Sequence, residues 1–535
     1  MNYWGDIKER FWRNKRGKIG ACIVLLYFFI ALYAPFFASS KPLVVIWNKT
    51  IYFPLLRYYF STALYTQAID IFFNLLSLFC PLFLFQGLFS KKYQKYYRVV
   101  LLVGFLFSFF FIQYGPVIEP AHDGERIEQK QYFYTEKLAL QYDLQSKERA
   151  SFPFPDFSIE RRFMSPYQLL NMVVEEKVHK KRYEKLRQYV GETDASSCVY
   201  YMKKIGEKEQ LVNLRGRREK LLEGYTQRKK EEQSLRKSHN NETRLSQIVE
   251  QNIEFERLEN RIRYMEEKRA FLEIQQREVS FILYPLLRPL HWQDDVGGTQ
   301  ALNRKVSFLD LVRLTRQDLL GALLFGARRS LFVGFFAVFL SLLIGIPLGL
   351  ISGYFGGKVD IVLSRFVEIW ESMPAFFMLL FIMAIFQTKS LFIVIGVIAL
   401  FSWSPTFRFV RAETLKQRER LYVDACRALG FSSFRILCHH LLPNVLTPVV
   451  ALLPFSLMAA ITREAALSFL GLGEERSCSW GQLMDEGRQA FPAEAQLLWP
   501  PALMLTFLLI AIAFVGDALR AAMDPKAEGK AAPQA

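Results

Sequence analysis

What this sequence lacks is the apparatus for covalent chemistry of its own. Its six cysteines, Cys22, Cys80, Cys198, Cys426, Cys438 and Cys478, stand singly with no Cys-x-x-Cys pair. The adjacent His439-His440 pair beside Cys438 points in different directions on any regular backbone and cannot converge on one ion, so a metal centre is not expected. A phosphate loop is also missing. The nearest candidate, Gly357-Lys358, is followed by Val359, and the position five before Gly357 is Ser352, so nothing wraps a phosphate or holds magnesium. The long apolar runs carry no ionisable residue at mid-depth; Glu368, Glu371 and Asp517 lie only at run ends. Coupling to an ion gradient is disfavoured, because a charge in the middle of a span is costly and is found where it works.

What the chain has in abundance is apolar sequence: 51% of its 535 residues are hydrophobic and 49 are phenylalanine. Runs of about 20 such residues are long enough to cross a bilayer as helices. Eight spans are expected, at about 19–38, 68–89, 98–115, 330–352, 367–387, 390–405, 445–461 and 497–517. The first run follows Lys8, Arg10, Arg13, Lys15, Arg16 and Lys18; it is longer than a signal-peptide core and reads as an uncleaved span with the N-terminus in the cytoplasm. Span parity then puts Lys91, Lys92 and Lys95, and the basic segment 406–444, inside. It puts the acidic segment 463–496, with Glu464, Glu474, Glu475, Asp485, Glu486 and Glu494, outside. The net charge of +17 follows from this bias and calls for no nucleic-acid partner.

Parity places a long hydrophilic insert, about 116–324, outside the cytoplasmic membrane. Within it, 203–237 and 241–278 are dense in Glu, Lys, Arg and Gln, separated by the turn-forming Ser238-His239-Asn240-Asn241, which predicts a helical hairpin. Phe255, Leu258, Ile262, Met265 and Leu272 recur as an interrupted heptad seam, consistent with an antiparallel two-helix coiled coil or with a solvated charged helix. Cys198 and Cys478 are the cysteine pair assigned to the outer side. The division expected is an N-terminal membrane region over 1–115, the insert over 116–324, a membrane core over 325–525 and a tail over 526–535. The fold class is all-α, a polytopic membrane helical bundle.

Two patterns point to function. Ala337, Ser341, Gly345, Gly349 and Gly353 repeat small residues every fourth position, one continuous helix face on which a neighbouring backbone can approach closely. Pro347, Pro374 and Pro454 predict kinks in their spans. The second pattern is Tyr422-Val423-Asp424-Ala425-Cys426-Arg427-Ala428-Leu429-Gly430, nine further residues, then His440-Leu441-Leu442-Pro443-Asn444. Small residues suit a short helix seated in a partner's groove, and Gly430 permits the left-handed turn that ends it.

This second pattern resembles the cytoplasmic signature of the permeases of binding-protein-dependent ABC importers: Glu-Ala-Ala, three residues, Gly, nine residues, an apolar position, one residue, Leu-Pro. Ala425, Gly430, Leu442 and Pro443 match, with Asp424 for Glu, Cys426 for Ala and His440 at the apolar position. Further stretches resemble the C-type subunits of the dipeptide and oligopeptide branch. They are Gly326-Ala327-Arg328-Arg329-Ser330-Leu331, Gly353-Tyr354-Phe355-Gly356-Gly357, Glu464 through Gly473, Ser479-Trp480-Gly481, Gly516 through Arg520, and Asp524-Pro525. Of the family's usual Gly-Thr-Asp, Gly-Arg-Asp stretch only Asp318 survives, and the spans near 68–115 and the insert lie outside its common six-span unit.

The resemblance implies a type I importer permease in a bacterial inner membrane, both termini cytoplasmic. It implies that residues Asp424 to Gly430, with Leu442 and Pro443, form the loop that docks on an ATPase. The implied partners are a second homologous permease, two ATP-hydrolysing subunits that hold the ATP and magnesium, an extracytoplasmic peptide-binding protein and membrane lipid. No cofactor or catalytic residue is expected on this chain. Two other readings remain open at this point: a membrane-anchored coiled-coil scaffold, and a permease of the same architecture for a metal chelate or other small solute.

Overall fold

The computed structural model describes residues 3–60, 67–88, 90–114, 156–237, 242–298, 300–386, 390–474 and 477–523. The 238–241 turn, Glu475, Asp524-Pro525 and the 526–535 tail lie outside them.

The principal elements in chain order are α1 (Tyr3–Arg13), α2 (Lys15–Leu32), β1 (Val44–Trp47), β2 (Thr50–Tyr52), α3 (Ala68–Leu84), α4 (Lys91–Tyr114), α5 (Pro166–Val190), α6 (Val199–Lys237), α7 (Glu242–Arg277) and β3 (Val279–Leu283). They continue with α8 (Leu319–Phe355), α9 (Gly357–Ser372), α10 (Ala375–Phe386), α11 (Leu391–Arg418), α12 (Leu421–Ala428), α13 (Leu442–Val450), α14 (Leu453–Phe469), α15 (Trp480–Gln489) and α16 (Trp499–Met523). They form two compact units, Met1–Ala34 with Ala322–Ala535, and Pro35–Gly321.

The first unit is a helical bundle. Long apolar stretches in α8, α11 and the Ala495–Met523 segment suffice to cross a membrane. Two bent pairs add to these: α9 with α10, turned by 76° at Pro374, and Ser433–Val450 with α14, turned by 62° just before Pro454. Proline removes an N–H and clashes with the preceding turn, so the helix ladder breaks there. At Pro347, by contrast, α8 continues as one 37-residue helix, about 55 Å long. Helix α2 begins with Lys15, Arg16 and Lys18, its first turn capped by Asn14. It packs on α16, where the Tyr27 hydroxyl donates to the Met504 carbonyl at 2.9 Å.

Residues far apart in the sequence meet at one point of this bundle. Arg328, 1% exposed, donates to the Ala31 carbonyl at 2.6 Å, and Trp480 donates to the Leu323 carbonyl at 3.0 Å. A β-carbon on Gly326 would lie 2.5 Å from the Trp480 indole nitrogen. Two of the sequence stretches noted above are thus halves of one packed joint.

The second unit mixes helices with a three-stranded antiparallel sheet in the order β2-β1-β3, Val45 opposing both Tyr52 and Ile282. The sheet was not foreseen, because a four-residue strand gives too short an alternation to stand out from an apolar background. It closes a core made by Val45, Trp47, Leu170, Val174, Phe271 and Val312. Asp318 is fully buried here and pairs with Arg288 at 2.7 Å, while Asp310 accepts from Lys185 at 2.9 Å. Helices α6 and α7 lie antiparallel, joined by Arg215–Glu266, Arg218–Glu259 and Lys229–Glu256 pairs and by Leu211, Leu258 and Ile262. Phe255 stacks on Tyr225 at 4.2 Å, whereas Leu272 joins the sheet core instead of the hairpin seam. Helices α3 and α4 form an apolar pair, and no residue of Tyr93–Gln113 is buried. All six cysteines are free.

Candidate functional site

The site begins with a stripe of side chains on α8. Ala337 and Ser341 are buried. At Gly345, Gly349 and Gly353 the neighbour is α11: an added β-carbon would lie 2.8 Å from the Trp403 carbonyl, 2.8 Å from Val410 and 2.6 Å from Thr414, respectively. The helices approach so closely that only hydrogen fits at these three positions, the arrangement that maximises van der Waals contact inside a bilayer.

Beyond this seam, polar residues fasten the end of α8 and the start of α9 to α11. Arg411 donates to both oxygens of Asp360, the Nη2–Oδ2 distance being 2.6 Å, and Ser352 donates to the same carboxylate at 2.5 Å. Arg418 reaches the carbonyls of Gly353 and Tyr354 at 3.4 and 3.5 Å, and Arg408 pairs with Glu371. In the sequence these arginines read only as part of the basic segment 406–444. The signal that was available is the coincidence of Gly353-Tyr354-Phe355-Gly356-Gly357 and Asp360 with an arginine every few residues along one helix.

The segment after α11 folds as the short helix α12. Val423 and Cys426 are its buried side, packed with Leu350 and Tyr354 of α8, Val410 of α11, and Ile436, Leu441 and Val445. The other side, Leu421, Asp424, Ala425, Ala428 and Leu429, is exposed, Leu421 to 86% and Leu429 to 71%. Cys426 therefore faces the core, where a buried thiol behaves as a small apolar group.

The helix ends in a double hydrogen bond. Gly430 N–H donates to the Arg427 carbonyl at 2.9 Å and Phe431 N–H to the Cys426 carbonyl at 3.1 Å, with Gly430 at φ +74°. This is the Schellman arrangement, whose left-handed residue is most easily glycine. Asp424 and Arg427 pair at 3.1 Å, and the Arg427 guanidinium lies 5.5 Å above the Tyr354 ring.

The chain then passes through a π-helical turn at Ile436–Leu441 into α13, where Leu442 and Pro443 form the first turn. Pro443 has no N–H to donate to the preceding turn and stands where the hydrogen bonding changes from the π to the α pattern. His440 stacks on Phe431 at 5.7 Å with nearly parallel rings, so the imidazole serves as a flat packing surface at a position where the signature has an apolar residue. The coupling-loop residues read from sequence thus gather around one short helix, and the small-residue face lies along the helix whose end supports it. The arrangement is a 37-residue helix with a short, outwardly exposed helix packed against its end.

The sequence profile described as binding-protein-dependent transport system inner membrane component matches residues 345–529, and that described as N-terminal TM domain of oligopeptide transport permease C matches residues 2–54. A peptidoglycan transport system permease protein YejE of Agrobacterium fabrum is 38% identical over 214 residues, 39% of this chain and 55% of that protein. The oligopeptide transport system permease protein OppC of Haemophilus influenzae is 37% identical over 211 residues, 39% of this chain and 68% of that protein. The dipeptide transport system permease protein DppC of Alkalihalophilus pseudofirmus is 34% identical over 255 residues, 46% of this chain and 83% of that protein. The chain thus spans little more than half of the first relative and over two thirds of the other two. It belongs to the permease family of binding-protein-dependent ABC importers, in the branch of the dipeptide and oligopeptide C-type subunits.

Proposed function

We propose that this chain is one of two permease subunits of an importer that moves short peptides across a bacterial inner membrane. The observation that carries the reading is the α12 helix: its inner face is fixed to the end of α8, and its outer face, free of long side chains at Ala425 and Ala428, is open to a partner. One of two ATP-hydrolysing subunits would dock there, the pair carrying the ATP and magnesium. A second homologous permease and an extracytoplasmic peptide-binding protein complete the assembly. Both termini and α12 are cytoplasmic in this reading, following the cationic residues around α1, α2 and α11.

The mechanism follows from the contacts. When the ATPases close on nucleotide, α12 is displaced. Because Val423 and Cys426 are embedded among Leu350, Tyr354 and Val410, the displacement passes to α8 and α11 as a pair, which their glycine seam and the Asp360–Arg411 clasp hold together. The spans then reorient and open a path to the outer side. A path between two permeases recognises backbone and size, leaving selectivity mainly to the binding protein.

The testing experiment is ATP-driven uptake of a labelled tripeptide into proteoliposomes holding the assembled complex. Accumulation is expected only when this chain, its ATPases and the binding protein are all present. Absence of uptake with peptides, together with uptake of a metal chelate, would replace the substrate assignment.

A further inference from the structure

The second unit contains a cleft of about 410 Å³ between α5, the first turns of α6, the last turns of α7 and the segment 289–295. This lies within the range of small-ligand sites. Most of its charges are already answered inside the protein. Glu175 pairs with Lys41 at 3.1 Å; Glu176 pairs with Lys204 at 2.9 Å and accepts from the Tyr200 hydroxyl at 3.3 Å.

Two are not. Asp294 is 8% exposed and lines the cleft, yet its carboxylate accepts only the His291 backbone N–H, at 2.6 Å, and meets no cation at ion-pair distance among the described residues. Lys203 lines the same cleft, is exposed, and also has no ion-pair partner among the described residues. A buried carboxylate without a counter-ion is costly to maintain, and burial accordingly pushes Asp294 up to about 7. The same cleft is also lined by Val178, Leu272 and Leu290.

We propose that this cleft binds a short zwitterionic peptide, Asp294 receiving its N-terminal ammonium and Lys203 its carboxylate. An anion and a cation in one cleft that is also lined by apolar side chains complement a molecule that carries an ammonium at one end, a carboxylate at the other and small side chains between. The cleft would then be a peptide site on the permease itself, and it rests on the peptide-importer reading for the identity of its ligand.

The test is equilibrium binding of trialanine to the full-length chain in lipid nanodiscs, compared with N-acetyl-trialanine and trialanine amide. Native protein is expected to bind trialanine saturably, and acetylation or Asp294→Asn to weaken binding about tenfold or more, as loss of a charge-assisted contact does. Lys203→Glu, at an exposed position where folding is not at stake, is expected to weaken trialanine and to leave the amide almost unchanged. No binding by the native chain, equal binding of the acetylated peptide, or native affinity in Lys203→Glu overturns the proposal. Peptide-stimulated ATP hydrolysis by the assembled complex separates the two readings. Stimulation with no cleft binding leaves the importer standing and removes the site, whereas cleft binding without stimulation does the reverse.

Discussion

Gly430 holds a left-handed backbone, φ +74°, with no atom within 4 Å of where a β-carbon would stand. Space is therefore not what calls for glycine there; the conformation is. Gly430→Ala is expected to cost about 1–2 kcal/mol of local stability, read as faster hydrogen exchange over residues 421–431 with the rest of the bundle unchanged. Asp294 gives a prediction of opposite sign. Burial raises it from 3.8 to about 7, the His291 N–H and Lys41 opposing the rise and Glu175 and Asp318 adding to it. Between those two values the folded unit holds a proton that the unfolded chain has released, so the stability tied to this group is complete below the lower value and lost as pH rises through the upper one. Asp294→Asn, which keeps an oxygen for the His291 N–H, is expected to stabilise the unit by about 1–3 kcal/mol at alkaline pH and by nothing at pH values below the lower one. Hydrogen exchange of peptides covering 288–298 across that range checks it; a gain that is constant with pH would contradict the assignment.

At the scale of elements, the contact between α8 and α11 is the joint through which motion of α12 must pass. Gly349→Ala places a methyl group 2.8 Å from Val410, and overpacking of this kind costs about 1–3 kcal/mol. Val410→Gly in the same chain removes both side-chain atoms that lie 2.8 Å away and is expected to restore part of the loss, so the pair should be non-additive in melting experiments. For the clasp, Arg411→Lys is expected to behave nearly as badly as Arg411→Ala, because an ammonium cannot reproduce the two parallel bonds to Asp360; the readout is transport per ATP hydrolysed in assembled complexes. The small-residue stripe repeats every fourth position within an apolar run long enough to span a membrane as a helix, so the face from Ala337 to Gly353 can be read from the sequence. The clasp cannot, because Asp360 and Arg411 are 51 residues apart and nothing in either local pattern names the other. Strand β3 is hidden for the same reason, pairing with β1 across more than 200 residues, whereas β1 and β2 join through the local turn Asn48-Lys49 and are simply too short to stand out.

For the whole molecule, the division into units follows the chain in an unexpected way. Residues 35–60 and α3 and α4 cluster with the hydrophilic segment, because β1 and β2 pair with β3 and Asn171 donates to the Tyr58 hydroxyl at 2.8 Å, whereas the sequence alone suggested a cut near residue 115 based on hydropathy. The membrane bundle itself was legible because lipid imposes long apolar helices and the signature around Gly430 has fixed spacing. The central claim is that α12 couples this bundle to ATP hydrolysis on another subunit. The most direct test is peptide-stimulated ATP hydrolysis by the reconstituted complex, comparing the native chain with Ala425→Arg, a change on the exposed face of α12. The account predicts strong stimulation of the native complex and its loss in the variant while folding of the chain is retained; undiminished stimulation with Ala425→Arg would contradict it.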